Sequence, residues 1–108
     1  MTYSVEISFE AESDMEDIYQ YIAFRLLSPE NAVRQIERLY KMIISLEKMP
    51  FRFRRFPRID KSKDELHIVA VNHYCIFYSV NDNDRTVNIV RVLYGSRNLY
   101  SDLDIEEL

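Results

Sequence analysis

The sequence predicts an α+β domain in the order β-α-α-β-β-β, with a helical hairpin packed on a mainly antiparallel four-stranded sheet. Three observations predict it. Apolar residues alternate with polar ones at the N-terminus, take up helical spacing through two successive segments, and return in three runs rich in β-branched and aromatic residues. The 108 residues suit one domain spanning 1–108, large enough to bury a core, with residues 99–108 as an acidic C-terminal tail.

From Tyr3 to Phe9 the odd positions Tyr3, Val5, Ile7 and Phe9 are apolar and Ser4, Glu6 and Ser8 are polar, the period of a half-buried strand. The spacing then changes. Ala11, Met15, Ile18, Ile22 and Leu26 fall on one helical face, and Glu10, Glu12 and Asp14 suit the positive end of that helix. Ser28-Pro29 restarts a helix, because serine can cap free amides and proline fits the first helical position. The second stripe is Ala32, Ile36, Leu39, Ile43 and Leu46; Val33, Tyr40 and Ile44 widen it toward both the first helix and the sheet. Pro50 ends it. The short link between the helices implies an antiparallel hairpin. Leu66 to Val71, Tyr74 to Val80 and Thr86 to Leu93 read as strands, the last two joined through the turn-tolerant Asn81-Asp82-Asn83-Asp84-Arg85. Gly95, the sole glycine, follows the last strand, where a left-handed backbone, a close approach or an ordinary turn accounts for it.

Composition narrows the function classes. Apolar residues make up 47% and charged residues 30%, the balance of a globular domain. No apolar run approaches the ~20 residues of a membrane span, and no basic stretch precedes an apolar block as in a secretion signal, so a cytoplasmic protein without membrane contact is expected. The net charge of −4 is the wrong sign for a general grip on nucleic acid. The exception is local: Arg52, Arg54, Arg55, Arg58, Lys61 and Lys63 face only Asp60, whereas Asp102, Asp104, Glu106 and Glu107 crowd the end.

Few residues invite chemistry. Cys75 has no cysteine partner, lies in an apolar run and reads as a core residue. His67 and His73, six apart, lack a compelling metal-ligand pattern and read as surface or strand-end residues. No motif suggests a cofactor or a metal. The basic stretch supports two readings equally. Phe51, Phe53 and Phe56 act as stacking groups beside the arginines for phosphate or an acidic partner, or they pack down while the charges face water. Contact between this stretch and the acidic tail is a further option, and it would be sensitive to salt.

The element order, together with Val5-Glu6-Ile7-Ser8 leading through Ala11 and Asp14 to Tyr21-Ile22, Ala32 to Leu46 with Pro50, Val71 to Tyr78, and Val87 to Asn98, resembles the RelE/ParE superfamily of type II toxin–antitoxin toxins, closer to the ParE branch. The resemblance covers nearly the whole chain. It implies growth inhibition, as in plasmid stabilisation, by binding a cellular target, which in that branch is DNA gyrase. It also implies neutralisation by a cognate antitoxin whose disordered C-terminal segment folds on binding, within a homodimer or a toxin–antitoxin hetero-oligomer. Target-binding residues would be Tyr94, Arg97, Arg54 and Arg55. Departures are informative. The ParE branch often carries an arginine where His67 stands, and Asn98 replaces the aspartate that commonly follows the arginine retained as Arg97. The alternative branch cleaves messenger RNA in the ribosome with clustered cations and an acid–base group; there an arginine follows the tyrosine matching Tyr74, and here that residue is Cys75. For such a ribonuclease the candidates are Arg97, His67 and a displaced Tyr100. An inactive antitoxin-binding module is the third reading.

Overall fold

The computed structural model describes residues 2–56 and 65–95. Strand β1 (Ser4–Ile7) leads into helix α1 (Phe9–Gln20), which continues as one π-turn over Tyr21–Arg25; α2 (Pro29–Ser45) and a 3-10 turn at Pro50–Arg52 follow, then β2 (Arg55–Phe56), β3 (Leu66–Val71), β4 (Tyr74–Asn81) and β5 (Thr86–Tyr94). The sheet order is β1-β5-β4-β3-β2, with β1 parallel to β5 and every other pair antiparallel. The α+β class and the helical hairpin therefore hold, but the sheet has five strands, not four. The fifth, β2, is two residues of the basic stretch added to the free edge of β3, with Arg55 opposite His67. Two residues carry too little period to be read as a strand from sequence.

The first strand stops at Ile7 because Ser8 leaves it to cap α1. Its Oγ accepts from the Ala11 amide at 3.0 Å and donates to the Val90 carbonyl at 2.9 Å, so one hydroxyl starts the helix and ties it to β5. Phe9 consequently belongs to the helix and is exposed, not a strand residue. Ala11, Met15, Ile18 and Ile22 are buried as the spacing predicts. Leu26 is not: the π-turn inserts a wider turn, the Leu26 amide donates to the Tyr21 carbonyl, and the phase shift sends Leu26 outward. The link to α2 passes through Leu27 at φ 54. Ser28 precedes α2, with Pro29 at its start, but its hydroxyl caps no amide; it accepts from Asn31 Nδ2 instead.

Helix α2 ends at Ser45, well before Pro50. Arg52 closes that end, its guanidinium donating to the Lys48 carbonyl at 2.6 Å and the Ser45 hydroxyl at 2.9 Å, where a cation suits the negative end of the helix. Ala32, Leu39, Ile43 and Leu46 are buried, whereas Val33, Tyr40 and Ile44 stay exposed and do not widen the buried face.

Two apolar clusters result. The larger lies between the helices and one sheet face and includes Met15, Leu39, Ile43, Val69, Ile76, Tyr78, Ile89 and Val92. The smaller, Leu66, Ile68, Phe77 and Leu93 with Phe56, Cys75 and Val90 against it, sits on the other face. Neighbours such as Ile68 and Val69, or Ile76 and Phe77, divide between the two, as the pleat requires. Truncating Leu39, which is fully buried, would cost ~2–5 kcal/mol.

Candidate functional site

The sequence puts an aspartate, Asp14, on the apolar stripe of α1, and an arginine, Arg91, in the middle of an apolar strand. The structure joins them. Arg91 Nε and Nη2 donate to the two Asp14 oxygens at 2.8 and 2.9 Å, and the Val92 amide donates to Asp14 Oδ2 at 2.9 Å. Register slips between Phe77 and Tyr78, so that Val90 is left unpaired beside Arg91; this bulge lies where α1 crosses β5. Asp14 is therefore a strap between helix and sheet, not only a charge for the helix dipole. Two polar residues each out of place on an apolar element were the available signal.

Beyond this strap a cleft of about 490 Å³ opens. Asp14, Asp17 and Ile18 of α1 form one wall, Tyr21 of the π-turn and Leu26 just after it the lip, and Tyr74, Val92 and Tyr94 of the sheet with His73 of the β3–β4 turn the other wall. The rings of Tyr74 and Tyr94 meet edge-on at 5.7 Å, and His73 meets Tyr94 at 6.4 Å. Burial, then the neighbouring Tyr94 and Tyr21 hydroxyls, push the Tyr74 phenol above its ordinary value, so it stays protonated at neutral pH. The cleft is aromatic and apolar with carboxylates at its edge, and no lysine or arginine lines it among the described residues. Tyr21 and Leu26 at its lip are exposed, as are Phe24 and Leu27 of the same turn between the helices. Leu27 holds a left-handed backbone that ordinarily costs an L residue ~1–2 kcal/mol.

Of the residues proposed for target contact, Tyr94 lies in this cleft, half exposed. Arg54 and Arg55 do not share it. Arg55 sits on edge strand β2 opposite His67, roughly 13 Å along β3 from the Val71 row that leads to Tyr94, and pairs with Glu65 at 3.2 Å. Arg54 lies over the Phe56 ring, and its charge reaches Cys75 on the opposite sheet face. Arg97, Tyr100, Arg58, Lys61, Lys63 and the acidic tail lie outside the described residues.

His67 is not a surface residue. It is buried in β3, stacked on Tyr78 at 5.2 Å and met edge-on by Phe51 at 5.9 Å. Its Nδ1 lies 2.9 Å from the Phe53 carbonyl, which can only accept, so Nδ1 carries the proton. The Tyr78 hydroxyl donates to the Pro50 carbonyl at 2.7 Å. Together these two rings pin the start of the basic stretch to the sheet. Phe53 and Phe56 pack onto the two clusters, while Phe51 stays half exposed. For the described part of that stretch, packing accounts for two of its three phenylalanines. Cys75 is half buried; burial pushes its thiol up, against the Arg54 guanidinium. Gly95 has no positive φ. A Cβ there would lie 3.4 Å from the His73 carbonyl, ordinary contact, so an ordinary turn suffices. No group of three or more His, Cys, Asp or Glu among the described residues could hold a metal ion, and no helix there is long and apolar enough to cross a membrane.

Two helices packed on a mostly antiparallel five-stranded sheet form the fold of the RelE/ParE toxins of type II toxin–antitoxin systems. Residues 5–99 match the family described as the ParE toxin of the type II system parDE, and the chain belongs to that family, within the RelE/ParE superfamily. Its fold is similar to the chromosomal ParDE system of P. aeruginosa (15% identity over 86% of this chain and 96% of that one, TM-score 0.67). It is also similar to an archaeal RelE–RelB complex from Pyrococcus horikoshii (19%, 90% and 99%, TM-score 0.63) and to a double arginine-to-alanine mutant of the E. coli toxin RelE in the free state (14%, 96% and 95%, TM-score 0.63). No curated protein matches it in sequence.

Proposed function

We infer that this toxin inhibits growth by binding a cellular target, DNA gyrase by family resemblance, and is neutralised by a cognate antitoxin. The observation that carries the choice of binding over catalysis is the sheet face around Cys75. Messenger RNA cleavage needs several cations and an ionisable group converging on a phosphate. On that face Leu66, Ile68, Phe77 and Leu93 are buried around a neutral thiol, and His67 is committed to bracing the chain on the other face. Tyr94, Arg54, Arg55 and Arg97 remain the proposed target contacts. The solved ParDE and RelE–RelB relatives are toxin–antitoxin systems and complexes, which supports an antitoxin partner, and the exposed Tyr21, Phe24, Leu26 and Leu27 give it apolar surface to bury.

One observation favours ribosome-dependent RNA cleavage as the second reading: the charge of Arg54 reaches Cys75, the position where that branch carries an arginine. Controlled expression without antitoxin, followed by parallel readouts of DNA synthesis and translation, separates the two. Early arrest of DNA synthesis with gyrase-linked breaks is expected. Early loss of translation would replace this reading with the ribonuclease, and unimpaired growth from soluble, folded protein would leave an antitoxin-binding module.

A further inference from the structure

The cleft beside the Asp14–Arg91 strap has chemistry of its own. Asp14 is saturated, since its oxygens accept from Arg91 twice and from the Val92 amide. Asp17, three residues further along the helix, is exposed and is in none of the ion pairs among the described residues. Tyr74 and Tyr94 set their rings across from it, and Tyr21 stands at the lip near enough for its hydroxyl to raise the Tyr74 phenol. Neutral phenol rings present electron-rich faces, and Ile18 and Leu26 supply apolar surface beside them. Along its own length α1 carries Glu10, Glu12, Asp14, Glu16 and Asp17 and no lysine or arginine, and of these carboxylates Asp14 is matched by Arg91.

We propose that this cleft binds a lysine or arginine side chain presented by a basic, apolar-flanked segment of the antitoxin. The cationic head would sit between the tyrosine rings and the Asp17 carboxylate, with its aliphatic stem along Ile18 and Leu26. Charge complementarity chooses the occupant. An acidic peptide or a phosphate would face Asp17 and the α1 carboxylates with no lining cation to offset them, and the chain's own last residues, with Asp102, Asp104, Glu106 and Glu107, have the same wrong sign. A wholly apolar segment would leave the Asp17 carboxylate desolvated without a partner, which is costly. The inference rests on the reading of this chain as a toxin neutralised by a partner protein, and it specifies the chemistry that partner brings.

Two tripeptides test it on the full chain: acetyl-Leu-Arg-Leu-amide, and the same peptide with citrulline, which keeps the length and planar end group but replaces the charged guanidinium with a neutral urea that has fewer donors and a carbonyl acceptor. Titrated into isotope-labelled protein, the arginine peptide is expected to move the amide resonances of Asp17, Tyr21 and Tyr74 and to bind about five- to tenfold more tightly than the citrulline peptide. Asp17→Asn and Tyr94→Leu, both at exposed positions, should each remove most of that preference while leaving the rest of the spectrum folded. Equal response to both peptides, no response, or shifts mapping elsewhere would overturn the site, as would an unchanged preference in Asp17→Asn. The same protein is put through the growth assay. Arrested growth without arginine selectivity sinks this site and leaves the toxin; arginine selectivity without arrest keeps the site and sinks the growth-inhibiting reading.

Discussion

Asp14 and Arg91 hold helix to sheet through a bidentate pair that is mostly out of water, with the two side chains 10% and 24% exposed. Removing Asp14 takes from Arg91 its bidentate acceptor and from the Val92 amide the carboxylate oxygen it donates to. Asp14→Ala is expected to lower unfolding stability by about 2–4 kcal/mol, somewhat under the range for fully buried pairs because Arg91 keeps some water. Urea melts measure it, and a loss below ~1 kcal/mol would show the strap to be dispensable. The double variant Asp14→Leu, Arg91→Met should recover only part of the loss, because the Val92 amide still lacks its acceptor. Tyr78 makes a second prediction at this scale. Burial pushes its phenol up to about 12, against the pull of Arg52 and a backbone hydrogen bond at Phe53. A raised phenol favours the protonated, folded form, so its contribution is whole below pH ~10, the unfolded value. It is lost as the pH climbs from there toward 12, because the unfolded chain ionises first. Stability measured from pH 9 to 12 should fall over that window, and Tyr78→Phe should flatten part of the fall; an identical slope in the variant would assign the loss to other phenols, such as Tyr74.

At the scale of elements, the turn between the helices is where local preference and observed backbone disagree. Leu27 is 83% exposed and left-handed at φ 54, so neither burial nor propensity explains a leucine there. Leu27→Gly is expected to stabilise the free toxin by about 0.5–1 kcal/mol, the relieved strain exceeding the entropy glycine adds to the unfolded chain, and to weaken antitoxin binding. A variant that loses stability would show that the leucine side chain contributes packing despite its exposure. Elements with a sustained period were readable from sequence: the stripes of α1 and α2, the alternation in β1, and the runs of β3, β4 and β5. What escaped was whatever a single residue or a distant contact decides. Strand β2 is two residues long and exists because β3 offers a free edge. The π-turn that sends Leu26 outward leaves no mark in a pattern read at 3.6 residues per turn. The end of α2 is set by Arg52 folding back onto Ser45 and Lys48, not by Pro50. The cleft was only partly legible, since Tyr94 was singled out by resemblance whereas Asp17 and Tyr21, at the end of the first helix, meet Tyr74 from a strand far along the chain.

For the whole molecule, the distribution of charge and of exposed apolar surface bears on what a partner can do. The chain is acidic overall, yet its basic residues gather before β3 and its carboxylates along α1, so a partner that neutralises it meets regions of opposite sign within one small domain. Tyr21, Phe24, Leu26 and Leu27 are four large apolar side chains exposed within seven residues, and a partner that covers them stabilises the folded state by mass action. At a free antitoxin concentration of 100 times its Kd, the gain is about 2.7 kcal/mol, which for a domain of this size moves Tm upward by roughly 10 °C or more. Phe24 is the residue on which to test it, because it is 69% exposed and contributes little to the free fold. Phe24→Ser should leave the Tm of the free toxin within a degree or two yet lose much of the shift produced by the neighbouring gene's product. If wild type and variant shift equally, the antitoxin does not use the hairpin tip, and its apolar contacts must be sought along the exposed Val33, Tyr40 and Ile44 of α2 instead.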